Sequence, residues 1–252
     1  MSLAGRVVAV TGGNRGIGLG LARGVARAGA SVAIWARDQA AGDAAVIELQ
    51  ALGVSAAMFV CDVTDEAQVT EAASATRRQL GPIDALFANA GVSGAQTRFV
   101  DLPLAEWRSV MATNLEGAMI AMREAARQMI EESRPGALVG VSSISAKEGT
   151  PGRLAYSASK SGLLALCRGL AVELARFHIR CNALLPGWTD TDMLARSHGG
   201  MDRFVANTTS RTPVRRWGTP ADFEAIAAYL ADPTQSFHTG DEVVLDGGYS
   251  VF

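Results

Sequence analysis

Long apolar runs are missing from this chain. No stretch approaches the roughly 18 consecutive apolar residues of a membrane-spanning helix; even the run from Ala118 to Met122 is hemmed in by Glu116, Arg123 and Glu124. The first ten residues lack the extended apolar centre of an export signal and pass directly into a strand-like pattern, so a cytoplasmic location is expected. Cysteine is scarce as well. Cys61, Cys167 and Cys181 are odd in number and widely spaced, which suits neither a disulfide framework nor a metal-ligand cluster, and they read as small core residues. His178, His198 and His238 are scattered without HxxxH spacing, so no catalytic metal is expected. Basic runs are absent and the formal net charge is only -2, leaving no electrostatic footprint for nucleic acid or an anionic membrane. Nor is there a Pro/Ser-rich linker. With 252 residues, 48% of them hydrophobic, residues 1–252 are expected to form one domain.

What is present is a regular alternation. Short Val/Ile/Ala-rich runs at Arg6 to Val10, Ser31 to Trp35, Ala56 to Cys61, Ala85 to Ala88, Ala137 to Val141, Arg180 to Leu184 and Glu242 to Leu245 read as strands. Between them lie helical patterns at Gly18 to Ala28, Ala40 to Leu52, Thr64 (as cap) to Leu80, Leu104 to about Glu132, Leu154 to Phe177 and Pro220 to Leu230. Such alternation predicts an α/β fold, a doubly wound parallel sheet of about seven strands with helices on both faces. Ligands of such sheets gather at the carboxyl ends of the strands. The segment from Thr189 to Ser210 is unusually long for a connection and carries apolar tips at Met193, Leu194, Met201 and Phe204. It reads either as a substrate lid near 189–210 or as an ordinary surface excursion.

At the first strand–helix junction stands Thr11-Gly12-Gly13-Asn14-Arg15-Gly16-Ile17-Gly18, in the context a dinucleotide-binding turn requires. Gly12 permits the tight turn, while Gly16 and Gly18 let backbone approach a pyrophosphate at the positive end of the helix. Its glycine spacing is not that of GxGxxG. After the third strand, Asp62-Val63 either holds an adenine amino group or supplies a helix-capping acid. After the fourth, Asn89-Ala90-Gly91 either lines an adenosine ribose or is a plain strand-ending turn.

Tyr156 and Lys160 share a helix face four residues apart. An ammonium beside a phenol favours the ionised form, which turns a group of pKa about 10 into a usable acid or base near neutrality. Ser143 follows a buried strand.

In this order, Thr11-Gly12-x-x-x-Gly16-x-Gly18, Asn89-Ala90-Gly91, Asn114, Ser143, Tyr156-x-x-x-Lys160 and Pro186-Gly187 resemble the short-chain dehydrogenase/reductase family over essentially the whole chain. The resemblance implies a Rossmann-type domain, NAD(P) dependence, hydride transfer between a nicotinamide and a ketone or secondary alcohol, and a homotetramer. It casts Tyr156 as the general acid/base and Ser143 as the hydroxyl that orients the substrate oxygen. Lys160 would lower the Tyr156 pKa and bind nicotinamide ribose, and Asn114 would hold a water in the proton relay. Pro186, Gly187, Thr189 and Thr191 would contact the carboxamide. The 3-oxoacyl-carrier-protein reductase branch is the first suggested, but Ile130-Glu131-Glu132-Ser133-Arg134 presents acids and Leu170-Ala171-Val172-Glu173 has Val172 where such a reductase places Arg, so an acidic carrier protein would meet like charge. A free, fairly apolar small ketone is therefore favoured, with Val92, Ser93, Ile144, Ser145, Gly149, Thr150, Leu185, Trp188, Met193 and Leu194 as pocket candidates. A catalytically silent NAD(P)-binding regulator is the rival from another class. At the end of the second strand, Ala36 replaces the usual acid and Arg37 follows, with Arg15 nearby. NADP(H) is thus expected over NAD(H), unless Asp38 turns toward the ribose or pairs with Arg37.

Overall fold

The structure, a computed structural model, describes residues 1–192 and 201–252; Met193, Leu194 and the side chain of Met201 lie outside the described residues. Among these, β1 (Val7–Thr11), β2 (Ser31–Ala36), β3 (Ala56–Val60), β4 (Ala85–Ala88), β5 (Gly136–Val141), β6 (Ile179–Pro186) and β7 (Glu242–Leu245) form one parallel sheet in the order β3-β2-β1-β4-β5-β6-β7. The helices are α1 (Gly16–Arg27), α2 (Gln39–Gln50), α3 (Glu66–Gln79), α4 (Leu104–Met111), α5 (Gly117–Glu131), α6 (Leu154–Glu173), α7 (Met201–Arg211) and α8 (Glu224–Ala231).

Strand composition explains the layering. Side chains alternate across a strand, and in β1 and β2 Val8, Val10, Val32 and Ile34 face Leu21, Val25, Leu49 and Leu230 from α1, α2 and α8. The intervening Ala9, Ala33 and Trp35 face Val69, Met122, Met129 and Leu163 from α3, α5 and α6. Both faces are covered, so the central strands are buried throughout, whereas the edge strands β3 and β7 keep half-buried or exposed positions. Each large apolar side chain sealed in this way contributes about 1.5–3 kcal/mol. Trp35, wholly buried, satisfies its indole by donating to Thr76 Oγ1 at 3.0 Å.

Several boundaries differ from the sequence pattern, each for a local reason. α1 begins at Gly16 rather than Gly18, because Gly16 at φ +54° turns the chain straight into the helix. Thr64 does not cap α3; the Asp65 carboxylate does, accepting from Ala67 N and Gln68 N. The long helix expected from Leu104 to Glu132 is two helices joined by a π-type turn at Ala112–Glu116. That turn carries Asn114, fully buried, and such widened turns favour functional positions. α6 stops at Glu173, and a 3-10 turn follows that ends at His178 in the left-handed region, φ 58°. The helix expected from Pro220 opens as a 3-10 turn, with Thr219 N donating to Asp222 Oδ2 at 2.7 Å. Within 189–210, the expected polar excursion contains α7.

Glycine packing adds an arrangement that hydrophobic patterning did not signal. A methyl group on Gly20 or Gly24 would collide with the backbone carbonyl of Pro220 or Glu224, so α1 and the start of α8 touch backbone to backbone. This brings the segment after β6 over the first turn of α1.

Candidate active site

The strand order reverses between β1 and β4, and a crevice at the carboxyl ends of a sheet opens where such a reversal occurs. Here it is a cavity of about 1050 Å³, extending from Arg37 and Asp62 past the glycine turn to Ser143, Tyr156 and Lys160. Gly12, Asn14, Arg15, Gly16, Ile17, Gly18, Arg37, Asp62, Val63, Asn89, Ala90, Gly91, Pro186, Gly187, Thr189 and Thr191 all line it. Of the expected pocket residues, Val92, Ser93, Ile144, Ser145, Gly149, Thr150 and Trp188 are also in its wall. Leu185 is not: it points into the core, fully buried beside Leu163 and Cys181, because it occupies the inward register of β6.

The glycine end is held by backbone. Gly12 and Gly16 have φ of +62° and +54°, which side-chain-bearing residues rarely adopt. Gly18 also packs tightly within the turn. A methyl there would collide with the Gly12 carbonyl and stand 2.5 Å from Asn89 Nδ2, so Gly18 closes the turn on itself. Asn89 secures the same corner, its amide donating to Thr11 O at 2.9 Å and Gly12 O at 3.2 Å. Thr11 Oγ1 in turn accepts from Asn89 N and Ala90 N, both at 2.9 Å. Asp62 forms a tight turn, accepting from Thr64 N and Oγ1 at 3.0 and 2.8 Å, while its other oxygen lies 3.7 Å from Arg37 Nη1. Those hydrogen bonds outweigh burial and hold the Asp62 carboxyl below its ordinary value. Asp38 does not pair with Arg37; it caps α2, accepting from Ala41 N at 3.1 Å.

The other end is held by buried side chains. Lys160 is only 4% exposed and donates to Val141 O at 2.7 Å, and its Nζ lies 5.7 Å from the centre of the Tyr156 ring. Burial pushes this amine down to about 8. Burial also pushes the Tyr156 phenol above its ordinary range, and what pulls it back is a hydrogen bond from Ser143 and the charge of Arg153. Asn114 does not line the cavity but clamps its wall: Oδ1 accepts from Val92 N at 2.8 Å, and Nδ2 donates to Val92 O at 2.9 Å and Ser159 Oγ at 3.1 Å. Gly91 runs beside this clamp, where a methyl would meet Asn114 Oδ1 at 3.2 Å and Lys160 Nζ at 3.5 Å.

Some of the wall was not expected. Arg153, three residues before Tyr156 and 9% exposed, lines the cavity, and its place just ahead of the helix turn that carries Tyr156 was the available signal. Phe204 of α7 and Tyr249 near the C-terminus meet Trp188 edge-on, with ring centres 4.9 and 6.0 Å apart. Arg211 lies over the Tyr249 ring at 4.3 Å. No local pattern couples residues 188, 204 and 249. The loop they cover, Gly187 to Thr191, rests on α1, with the Thr191 methyl next to Gly16.

Comparison with known proteins defines the class, an oxidoreductase. Residues 12–250 match the family described as enoyl-(acyl carrier protein) reductase. The chain belongs to the short-chain dehydrogenase/reductase family. It is 34% identical over 250 residues to the gluconate 5-dehydrogenase of Gluconobacter oxydans, covering 99% of this chain and 96% of that protein. It is also 34% identical over 248 residues to a 3-oxoacyl-(acyl-carrier-protein) reductase of Chlamydia pneumoniae, covering 98% of each. Among solved structures, a gluconate 5-dehydrogenase from Burkholderia cenocepacia in complex with NADP and tartrate matches with a TM-score of 0.92 at 30% identity, covering 100% of this chain and 97% of that one.

Proposed function

We propose that this protein interconverts a small ketone and its secondary alcohol by hydride exchange with NADP(H), NAD(H) serving less well. The observation that carries this reading is that one cavity holds the glycine turn at one end and Ser143, Tyr156 and Lys160 at the other. A dinucleotide suits this cavity: positive-φ glycines and the N-terminus of α1 offer backbone N–H groups to a pyrophosphate. Arg37 and Arg15, both exposed at the rim, suit a 2′-phosphate. When bound, the nicotinamide supplies or accepts the hydride.

The residues handle the proton. In reduction, Tyr156 passes its phenolic proton to the carbonyl oxygen as the alcohol forms, and Ser143 donates to the same oxygen as charge builds there. Lys160 binds ribose hydroxyls, and its ammonium, 5.7 Å from the centre of the Tyr156 ring, supports the phenolate that is left behind. Asn114 has both ends of its side-chain amide engaged, so its part in a relay is to fix Val92 and α6. Residues 1–252 act as one catalytic domain; of the expected lid near 189–210, Thr189, Thr191, Asp192 and Phe204 line the cavity, and residues 193–200 lie outside the described residues. A homotetramer suits the exposed apolar side chains Leu104, Val172, Val251 and Phe252, and light scattering that shows only monomer at micromolar concentration would remove that part. The exposed Val172 and Glu131 offer an acidic carrier protein no positive charge, which favours a free ketone.

The test is Tyr156→Phe, which keeps the ring and removes the proton. Ketone-dependent NADPH oxidation should fall by about 100-fold or more while NADPH binding persists. Retention of more than about a tenth of the rate would reject the acid/base role. A wild-type protein that binds NADPH but turns over no ketone would favour the regulator.

A further inference from the structure

The substrate end of the cavity is less apolar than a simple ketone requires. Arg153 is nine-tenths buried there, at the N-terminal boundary of α6, with Nη1 3.4 Å from Gly94 O. A guanidinium keeps its charge even when burial disfavours it, and Arg153 is disfavoured in that way. It is the residue just before α6, three positions ahead of Tyr156, and lines the same cavity as Ser143 and Tyr156. Other charged groups share this end. Glu148 is half-buried, Asp192 and Arg211 are exposed, and Arg211 is stacked on Tyr249. Arg153 is therefore the deepest guanidinium in the cavity wall, in the low-dielectric surroundings where charge attracts a ligand most strongly. Trp188 and Phe204 supply apolar wall for a carbon chain.

We propose that the substrate is an oxo acid and its product a hydroxy acid, with the carboxylate seated against Arg153 and the carbonyl at Ser143 and Tyr156. This rests on the oxidoreductase reading above and narrows it to a substrate class. Arg153 immediately precedes the first turn of α6 and Tyr156 lies in that turn, so the carboxylate seat and the reacting carbonyl share one end of the cavity. The balance is that of the parent reaction: the oxo acid takes a hydride from NADPH and a proton through Tyr156, giving the hydroxy acid and NADP⁺.

The experiment compares acetoacetate, 2-oxobutanoate and levulinate with their methyl esters in wild type, Arg153→Met, Arg153→Lys and Arg211→Met. Wild type should favour the acid of a pair by about tenfold or more in kcat/KM. Arg153→Met should erase that preference mainly through KM, Arg153→Lys should keep part of it, and Arg211→Met should change it least. Esters turned over as well as acids by wild type, or an equal loss on both members in Arg153→Met with no rescue by Lys, would overturn the proposal. Calorimetry with tartrate and the NADP⁺ complex separates this inference from the one beneath it. Tartrate binding that Arg153→Met weakens by about tenfold or more supports the seat even if no ketone turns over, in which case the reductase reading alone fails. Absence of tartrate binding to wild type overturns the seat.

Discussion

At the Gly12 end of the cavity the chain works with backbone, whereas at the Tyr156 end it works with buried side chains drawn from distant elements. Gly12, Gly16 and Gly18 lie within one turn of sequence, and the charged groups nearby, Arg15 and Arg37, are exposed. At the other end Asn114, Lys160 and Arg153 are all 9% exposed or less, and they come from the π-type turn, from α6 and from the residue just before α6. The contrast is one of what each end tolerates. Backbone geometry is unforgiving of a methyl group but indifferent to most exposed charges, because solvent screens them. A buried polar end is sensitive to the identity of each group, because desolvation makes every charge there costly or useful.

The sharpest way to break this contrast is Gly18→Ala. Its methyl meets backbone at Gly12 and the Asn89 amide, neither of which can move without opening the turn. We expect a loss of about 3 kcal/mol or more, lowering Tm by roughly 6–12 °C, together with loss of NADPH binding. Gly149→Ala, with nothing within 4 Å of the added methyl, should leave both unchanged. Equal behaviour of the two variants in thermal melts would show that the turn is not held as described.

At the buried end, Lys160→Met probes desolvation. The folded value of about 8 lies below the 10.5 of an ordinary lysine, so folding is penalised by about 3 kcal/mol. The sign follows from proton uptake: the unfolded chain binds the extra proton, so the penalty is fully present below pH 8 and fades as pH rises toward 10.5. The Tm of Lys160→Met relative to wild type should therefore be highest near pH 7 and fall by pH 10. A difference that does not change with pH would mean that Lys160 titrates as an exposed lysine.

The smallest effect is expected at the exposed rim. Arg37→Ala should weaken NADPH by about tenfold while changing NADH by less than about twofold, as read from kcat/KM for each cofactor. A wild-type preference for NADH would reject the assignment of Arg37 to a phosphate.

Most of the glycine end was legible because its information is local. A strand, a glycine-rich turn and a helix succeed one another without interruption, and the turn's conformation demands glycine wherever φ is positive. What was not legible there is that Gly18 also packs against a carbonyl six residues back. Asn114 was visible as a polar residue inside an apolar helix, but the π-type turn was not, because it arises only when the side chain finds Val92 and Ser159 across the fold. Leu185 looked like a pocket residue from its neighbours in sequence, and the register of β6 turned it inward.

By itself the sequence determined the alternation of strands and helices, the parallel sheet and the grouping of Tyr156 with Lys160, since periodicity, turn chemistry and helical spacing are properties of adjacent residues. Only tertiary structure decided that Arg153 is buried in the cavity wall, that Lys160 spends a bond on Val141, and that Trp188, Phe204 and Tyr249 close one wall. Those outcomes depend on burial and on contacts between segments far apart in the chain. Desolvation and close packing act on the folded surface, where sequence neighbours no longer say who touches whom.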